Sequence, residues 1–187
     1  MKQGRIILAA IAGFAMTFSA SLASAQLNSG AQTIALNANL AESLTLTLSA
    51  NTVNFALSAG SATNAGSAGI TATTAWTLAQ GRTAVGVYAY FTSATAALTD
   101  GAGDNIPSSA FYIADNAGTA TALTNTVAFG GANAGLKLAN VAITNANQSG
   151  SRTDAMTFNI NLSGGTLPQL PANTYTGTLN IQAQATP

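Results

Sequence analysis

Apolar and polar residues alternate with a period of two along most of the chain. Alternation over four to eight residues predicts a β-strand with one buried face, and no segment after residue 25 has the stripe of an amphipathic helix. The runs that predict strands are Ile34–Leu40, Leu44–Leu48, Val53–Leu57, Ala72–Leu78, Val85–Phe91, Phe111–Ile113, Val127–Phe129, Leu136–Leu138, Val141–Ile143, Met156–Leu162 and Leu179–Ala183.

Segments rich in Gly, Ser, Asn and Asp separate these runs and predict loops, notably 58–69, 100–105 and 145–152. About eight or nine short strands at this spacing are typical of an antiparallel sandwich or barrel. The strands have one apolar face and one Thr/Asn/Gln face, as two sheets packed over a common core require. We therefore predict an all-β antiparallel sandwich, with Trp76 as a core anchor.

The first 25 residues have the three parts of a secretory signal peptide. Lys2 and Arg5 form a charged start, residues 6–18 are an apolar run, and Ala23-Ser24-Ala25 fits a cleavage site. The alternative is a membrane anchor, but the run is shorter than the roughly 20 residues that span a bilayer. We expect passage through the periplasm to the cell surface or medium, with no membrane span after cleavage. The rest is predicted to be a flexible arm, 26–30, and one β-sandwich domain, 31–187.

The composition excludes several classes of function. The chain has 187 residues, of which only 5% are charged, and it has no His and no Cys. It therefore lacks an imidazole base, a thiol nucleophile, thiolate or imidazole metal ligands and disulfides. The part after residue 25 has three basic and five acidic residues, which is too little positive charge for a nucleic-acid binder. We expect a protein that is not an enzyme and has no cofactor.

One loop is a weak candidate for calcium binding. Asp100, Asp104 and Asn105, with Asp115 as a further candidate, supply the hard oxygen atoms that Ca²⁺ prefers. The loop lacks the spacing of an EF-hand and has no bidentate Glu. Asp-Gly and Gly-Asp-Asn are also common in plain turns, so the turn interpretation stands beside the calcium one.

Two tyrosines form a candidate binding surface. Tyr88 and Tyr90 have the parity opposite to Val87, Ala89 and Phe91, which places them side by side on the outer face of a strand. An exposed aromatic pair can stack on a sugar ring or contact a protein. The simpler interpretation is that Tyr suits strands and packs against long neighbours.

The segment Ala31–Leu40 is the main candidate for an assembly strand. Ile34, Leu36, Ala38 and Leu40 alternate with uncharged residues and follow a flexible Asn-Ser-Gly stretch. Charges and prolines normally protect edge strands from pairing with other chains, and this segment has neither. Such a strand can complete the sheet of another subunit. The alternative is that it is the first strand of its own sandwich.

Both ends of the chain resemble a known family. Residues Thr33–Phe55 contain an alternating strand, a second strand, a small turn and a hydrophobic-x-Phe step, and Leu170–Ala183 contains a Pro-Ala-Asn-Thr-Tyr turn before the last strand. These features resemble the spore coat protein U domain, which is related to archaic chaperone–usher pilins. The chain departs from that pattern: it has no Cys near Leu44, Ala56 where a Gly is common, and Asn173 in place of the Gly of the last turn.

Two functions of different class follow as expectations. The resemblance implies an Ig-like or pilin-like sandwich that is a non-catalytic structural subunit of a surface fibre, pilus or coat, joined by edge-strand or donor-strand pairing. Its partners would be further copies or sibling subunits, and by resemblance a periplasmic chaperone and an outer-membrane usher. The alternative is a monomeric secreted binding or adhesion module for a glycan or protein, acting through Tyr88 and Tyr90.

Overall fold

The regular secondary structure of the described part is almost entirely β. The computed structural model describes residues 28–187, so the predicted signal peptide and the first residues of the arm lie outside it. Residues 39–187 form one compact unit, and residues 28–38 belong to a separate unit. The strands are β1 (Ser43–Leu48), β2 (Asn64–Ala65), β3 (Ile70–Thr77), β4 (Ala84–Tyr90), β5 (Leu98–Thr99), β6 (Asn105–Ile106), β7 (Phe111–Asp115), β8 (Thr121–Ala122), β9 (Gly135–Ala142), β10 (Ser149–Ile160) and β11 (Asn180–Thr186).

The strands form antiparallel sheets, which confirms the predicted fold class. A six-stranded sheet has the order β1-β3-β10-β7-β8, with β2 also paired to β10. A three-stranded sheet has the order β11-β4-β9, and β5 and β6 form a small hairpin. Two short 3-10 helices, Ser108–Ala110 and Leu167–Gln169, interrupt the loops. The strand count exceeds the predicted eight or nine because four of the strands are only two residues long.

The apolar faces of the two larger sheets pack into a core of two clusters. The large cluster joins residues of β3, β7 and β10 to Ala89 and Phe91 from the other sheet. The small cluster contains Trp76, Leu78, Val85 and Ile143. Trp76 is only 5% exposed, and its Nε1 donates a hydrogen bond of 3.0 Å to the carbonyl oxygen of Asn147. Trp76 thus fixes one end of the core.

A bulge explains the change of parity inside β9. Val87 pairs with Ala139 and Tyr88 with Lys137, so the strand contains one extra residue, Leu138, at this point. A bulge shifts the alternation by one residue. The apolar positions therefore move from Leu136 to odd-numbered residues, and the two short runs predicted there form one continuous strand.

Several predicted segments differ from the structure. The segment 145–152 was expected to be a loop, but Ser149–Arg152 belongs to β10 and pairs with β3. Residues 28–42 contain no strand, although the alternation predicts one at Ala31–Leu40. Val53–Leu57 makes only an isolated bridge, from Phe55 to Gly66. A strand needs a hydrogen-bonded neighbour, and the last two segments have the right alternation without a full ladder to join.

An ion pair fixes the residue that precedes β1. Glu42 Oε1 accepts hydrogen bonds from the Ala79 amide at 2.8 Å and Arg82 Nε at 3.1 Å, and Glu42 Oε2 lies 3.0 Å from Arg82 Nη2. These bonds, the guanidinium first, lower the pKa of Glu42 from 4.5 to about 2. The start of β1 is therefore linked by hydrogen bonds and an ion pair to the turn between β3 and β4.

Candidate assembly groove

A groove with an apolar floor opens along one side of the compact unit. Its volume is about 610 Å³, and it lies between the segment Leu48–Leu57 and the segment Asn173–Ile181. The volume is within the roughly 300–1,000 Å³ that is usual for binding sites. Its floor consists of side chains of the large core cluster, namely Ile70, Phe91, Phe111, Met156, Phe158 and Ile160.

The two walls of the groove are formed mostly by the segments that follow β1 and precede β11. Only Leu48 of β1 and Ile181 of β11 line it. In the described residues β1 pairs only with β3, and β11 pairs only with β4, so each strand has one side without a strand partner. Val53 and Phe55 on one wall, and Leu179 and Ile181 on the other, are only partly buried against the core. Leu48 and Leu57 remain 41% and 36% exposed, so apolar side chains along the walls are incompletely covered.

The second wall is held in place before β11 begins. Thr176 exchanges two backbone hydrogen bonds of 2.9 Å with Thr99 in the β5–β6 hairpin, and Tyr175 Oη donates to the Pro171 carbonyl oxygen at 3.0 Å. Gly177 passes so close to Ala97 that a Cβ there would collide with the Ala97 carbonyl oxygen. The turn from Pro171 to Tyr175 is thus closed by a hydrogen bond from its own tyrosine, as in a tyrosine corner, and it lies beside the groove.

The predicted assembly residues are exposed in the described chain. The exposed fractions of Ile34, Leu36 and Leu40 are 85%, 88% and 84%. They make no hydrogen-bonded ladder, and Ala38 is exposed as well. Sequence reasoning identified this apolar set but missed the groove, because the groove residues come from segments far apart in the chain. The one local signal for its wall was the turn that leads to Tyr175.

The predicted calcium loop is built as a hairpin turn. Asp100 Oδ1 accepts the backbone N–H groups of Ala102, Gly103 and Asp104 at 2.8–3.1 Å, and Asp100 Oδ2 accepts Asn173 Nδ2 at 3.0 Å. These bonds, that of Ala102 first, lower the pKa of Asp100. Both oxygens of Asp100 thus accept hydrogen bonds that close the turn, as the turn interpretation expects. Asp115 lies on β7, in another cluster.

The two predicted tyrosines meet a third aromatic residue. The ring of Phe129 lies 5.8 Å from Tyr88 and 5.8 Å from Tyr90, between ring centroids. Lys137 Nζ is 5.8 Å from the centre of the Tyr88 ring, and Tyr90 Oη donates to Gln182 Oε1 at 2.8 Å. Both tyrosines are half-buried on the outer face of their sheet. Phe129, predicted as part of a strand, instead packs on them from a loop.

The described residues contain neither a metal-binding cluster nor a membrane-spanning helix. Within residues 28–187 no cluster of three His, Cys, Asp or Glu residues is arranged to hold a metal ion. No helix in the same range has the length and apolar character to span a membrane. The resemblance of the two chain ends to the spore coat protein U domain remains a likeness of the quoted residues, because no protein-family model, curated protein or solved structure matches this chain.

Proposed function

We propose that this protein is an exported, non-catalytic structural subunit that assembles by strand donation. In this proposal the segment Ala31–Leu40 of one copy fills the groove of the next copy. One observation carries it: the chain has both a groove with an apolar floor, between the segments that follow β1 and precede β11, and an exposed, uncharged segment with the alternation of a strand. The segment has an exposed apolar face, and the groove has an apolar floor against which that face could be buried.

The segment and the groove have similar lengths. Ala31–Leu40 has ten residues, and the wall Asn173–Ile181 has nine. At roughly 3.3 Å per residue, each spans about 30 Å when extended. Ile181 pairs with the buried Ala89, so odd-numbered residues of this wall face the core. An added strand could therefore place Ile34, Leu36 and Leu40 over the phenylalanine-rich floor and leave Asn37 and Asn39 in solvent.

The energetic terms allow a joint only when the whole apolar face of the arm is buried. Full burial of an Ile or Leu side chain contributes about 1.5–3 kcal/mol, and the three arm side chains are almost fully available for burial. Each main-chain hydrogen bond adds about 1 kcal/mol. The entropic cost of association is about 4–15 kcal/mol. Because the favourable terms are of the same size as this cost, all three side chains are needed for assembly.

The occupant we favour is a second copy of this chain. The arm has no charge, and the groove walls between 48 and 57 have none either, so no electrostatic term discriminates against self-association. A sibling subunit with a similar arm would fit in the same way. By resemblance to the spore coat protein U domain, a periplasmic chaperone and an outer-membrane usher would deliver the subunit.

The alternative function, a monomeric binding module, has weaker support. It needs open ring faces on Tyr88 and Tyr90, and Phe129 packs against both rings. The Tyr90 hydroxyl is also already bonded to Gln182. The surface that remains is smaller than the sequence suggests, whereas the groove exposes the edge of the main core.

Electron microscopy of the purified mature protein tests the proposal. We expect fibres or another regular polymer. An excess of a synthetic peptide of residues 31–40 should cap the grooves and shorten the polymers. A control peptide with Ile34 and Leu36 both replaced by Asp should have no effect, because it cannot enter an apolar groove. Discrete particles at high protein concentration, with no binding of the wild-type peptide, would contradict strand donation.

A further inference from the structure

A layer of polar residues crosses the interior of the sandwich. Asp154 and Arg152 lie on the same parity of β10 as the buried Met156, so they face the core. Thr74 lies opposite Arg152 on β3 and is fully buried, as is Asp154. Asp115 ends β7 and is paired with Met156. This layer, which we call the Asp154 layer, has the large apolar cluster on one side and the Trp76 cluster on the other.

The guanidinium of Arg152 lies near both carboxylates of this layer, those of Asp154 and Asp115. Arg152 Nε donates to Asp154 Oδ1 at 2.6 Å, whereas Arg152 Nη2 lies 3.7 Å from Asp115 Oδ2. Asn116 Nδ2 donates to both carboxylates, at 3.2 Å to Asp115 Oδ2 and 3.1 Å to Asp154 Oδ1. The close ion pair therefore belongs to Asp154, and Asp115 has the weaker share of the positive charge.

The layer has an excess of one negative charge in a poorly solvated place. Asp115 Oδ1, Asp154 Oδ2 and Thr74 Oγ1 are buried and have no hydrogen-bond partner among the described residues. A buried carboxylate oxygen without a donor is costly to keep ionised. Burial first, and then the charge of Asp154, raise the pKa of Asp115, and Arg152 offsets this only in part.

We propose that Asp115 is a proton-uptake site that stabilises the folded subunit in mildly acidic medium. The neutral acid removes the excess charge and leaves the close Arg152–Asp154 pair intact. The folded state binds this proton more readily than the unfolded state does. Stability therefore rises as pH falls through the pKa of the folded state towards the ordinary Asp value of 3.8.

Among the described residues packed against Asp115, the other titratable side chains are Asp154 and Arg152. β10 contributes Arg152 and Asp154, β3 contributes Thr74, and β8 borders β7 with Thr121 and Ala122. Asp154 and Arg152 are the charges that act on Asp115. Glu42 has the opposite sign: its contribution is complete above about pH 4.5 and is lost as pH falls through about 2. Asp100, whose pKa is also lowered, has the same sign as Glu42. The melting temperature should therefore pass through a maximum on acidification, above the pH range in which Glu42 and Asp100 become protonated.

The carboxyl ¹³C resonance of Asp115, followed by NMR in the full chain against pH, measures the site directly. We expect a midpoint above 3.8. Asp115→Asn, which resembles the neutral acid, should raise the melting temperature at pH 7 by about 2 °C or more and remove the gain on acidification. The matched control Asp104→Asn removes the same charge from the hairpin and should keep the gain. A midpoint at or below 3.8, or an unchanged gain in Asp115→Asn, would overturn the proposal.

Discussion

Replacement of Ile34 and Leu36 together by aspartate is expected to abolish assembly of the full chain and to leave the β-sandwich folded. Both side chains are exposed, so the compact unit that begins at Asn39 loses no packing. In the joint, however, the change removes two burials of about 1.5–3 kcal/mol each and introduces two charges into an apolar groove. The loss corresponds to at least a hundredfold weaker association. Light scattering and a thermal melt of the same sample measure the two effects.

The matched control places the same charges on the other face of the arm. Asn37 and Asn39 have the outward parity, so replacing both by Asp should leave assembly almost unchanged at physiological ionic strength. The wild-type segment, added as a peptide, should bind the double aspartate variant of Ile34 and Leu36, whose groove is empty of a partner arm. If that variant instead unfolds, and the wild type is a stable monomer, the segment is an intramolecular strand.

Trp76→Ala is expected to lower the free energy of unfolding by about 3–5 kcal/mol. The indole is buried among Leu78, Val85 and Ile143, and its removal loses transfer free energy and leaves a cavity. The Asn147 carbonyl oxygen also loses its donor. Gly150 lies opposite Trp76, and a Cβ there would come within 2.9 Å of the ring, so the site is shaped around the indole. Chemical denaturation measures the change.

Thr73→Ala is the comparison for the same strand. Thr73 has the outward parity of β3 and is only partly buried, so its replacement should cost less than about 1 kcal/mol. Equal effects of the two substitutions would mean that the inward and outward faces of β3 have been assigned incorrectly.

The inward faces of the long strands could be predicted from alternation alone. Val85, Val87 and Ala89 on β4 are all buried, and so are Met156, Phe158 and Ile160 on β10. The same rule failed at the start of β10, because Gly150, Arg152 and Asp154 hold the inward positions there. Alternation places charged residues on the surface. It therefore predicted a loop at 145–152 and gave no sign of the Asp154 layer.

The groove could not be predicted, for a different reason. Alternation shows which face of a segment is apolar, but not which segments become neighbours or where a sheet lacks a strand. Phe91 and Phe111 meet at 5.2 Å between ring centroids, although they belong to different sheets. The arm illustrates the same limit: its pattern predicts a strand, but strand structure depends on a partner ladder that residues 28–42 do not have.

The ion pair between Glu42 and Arg82 has a mechanical consequence. A force applied to the arm enters the sandwich at Glu42 and the first residue of β1. β1 is paired with β3 over six consecutive residue pairs, from Ser43–Thr77 to Leu48–Ala72. A force along the axis of β1 would load this ladder in shear, so that its hydrogen bonds break together rather than one after another. The bidentate ion pair lies where a force on the arm would enter the ladder, and it adds resistance at that point.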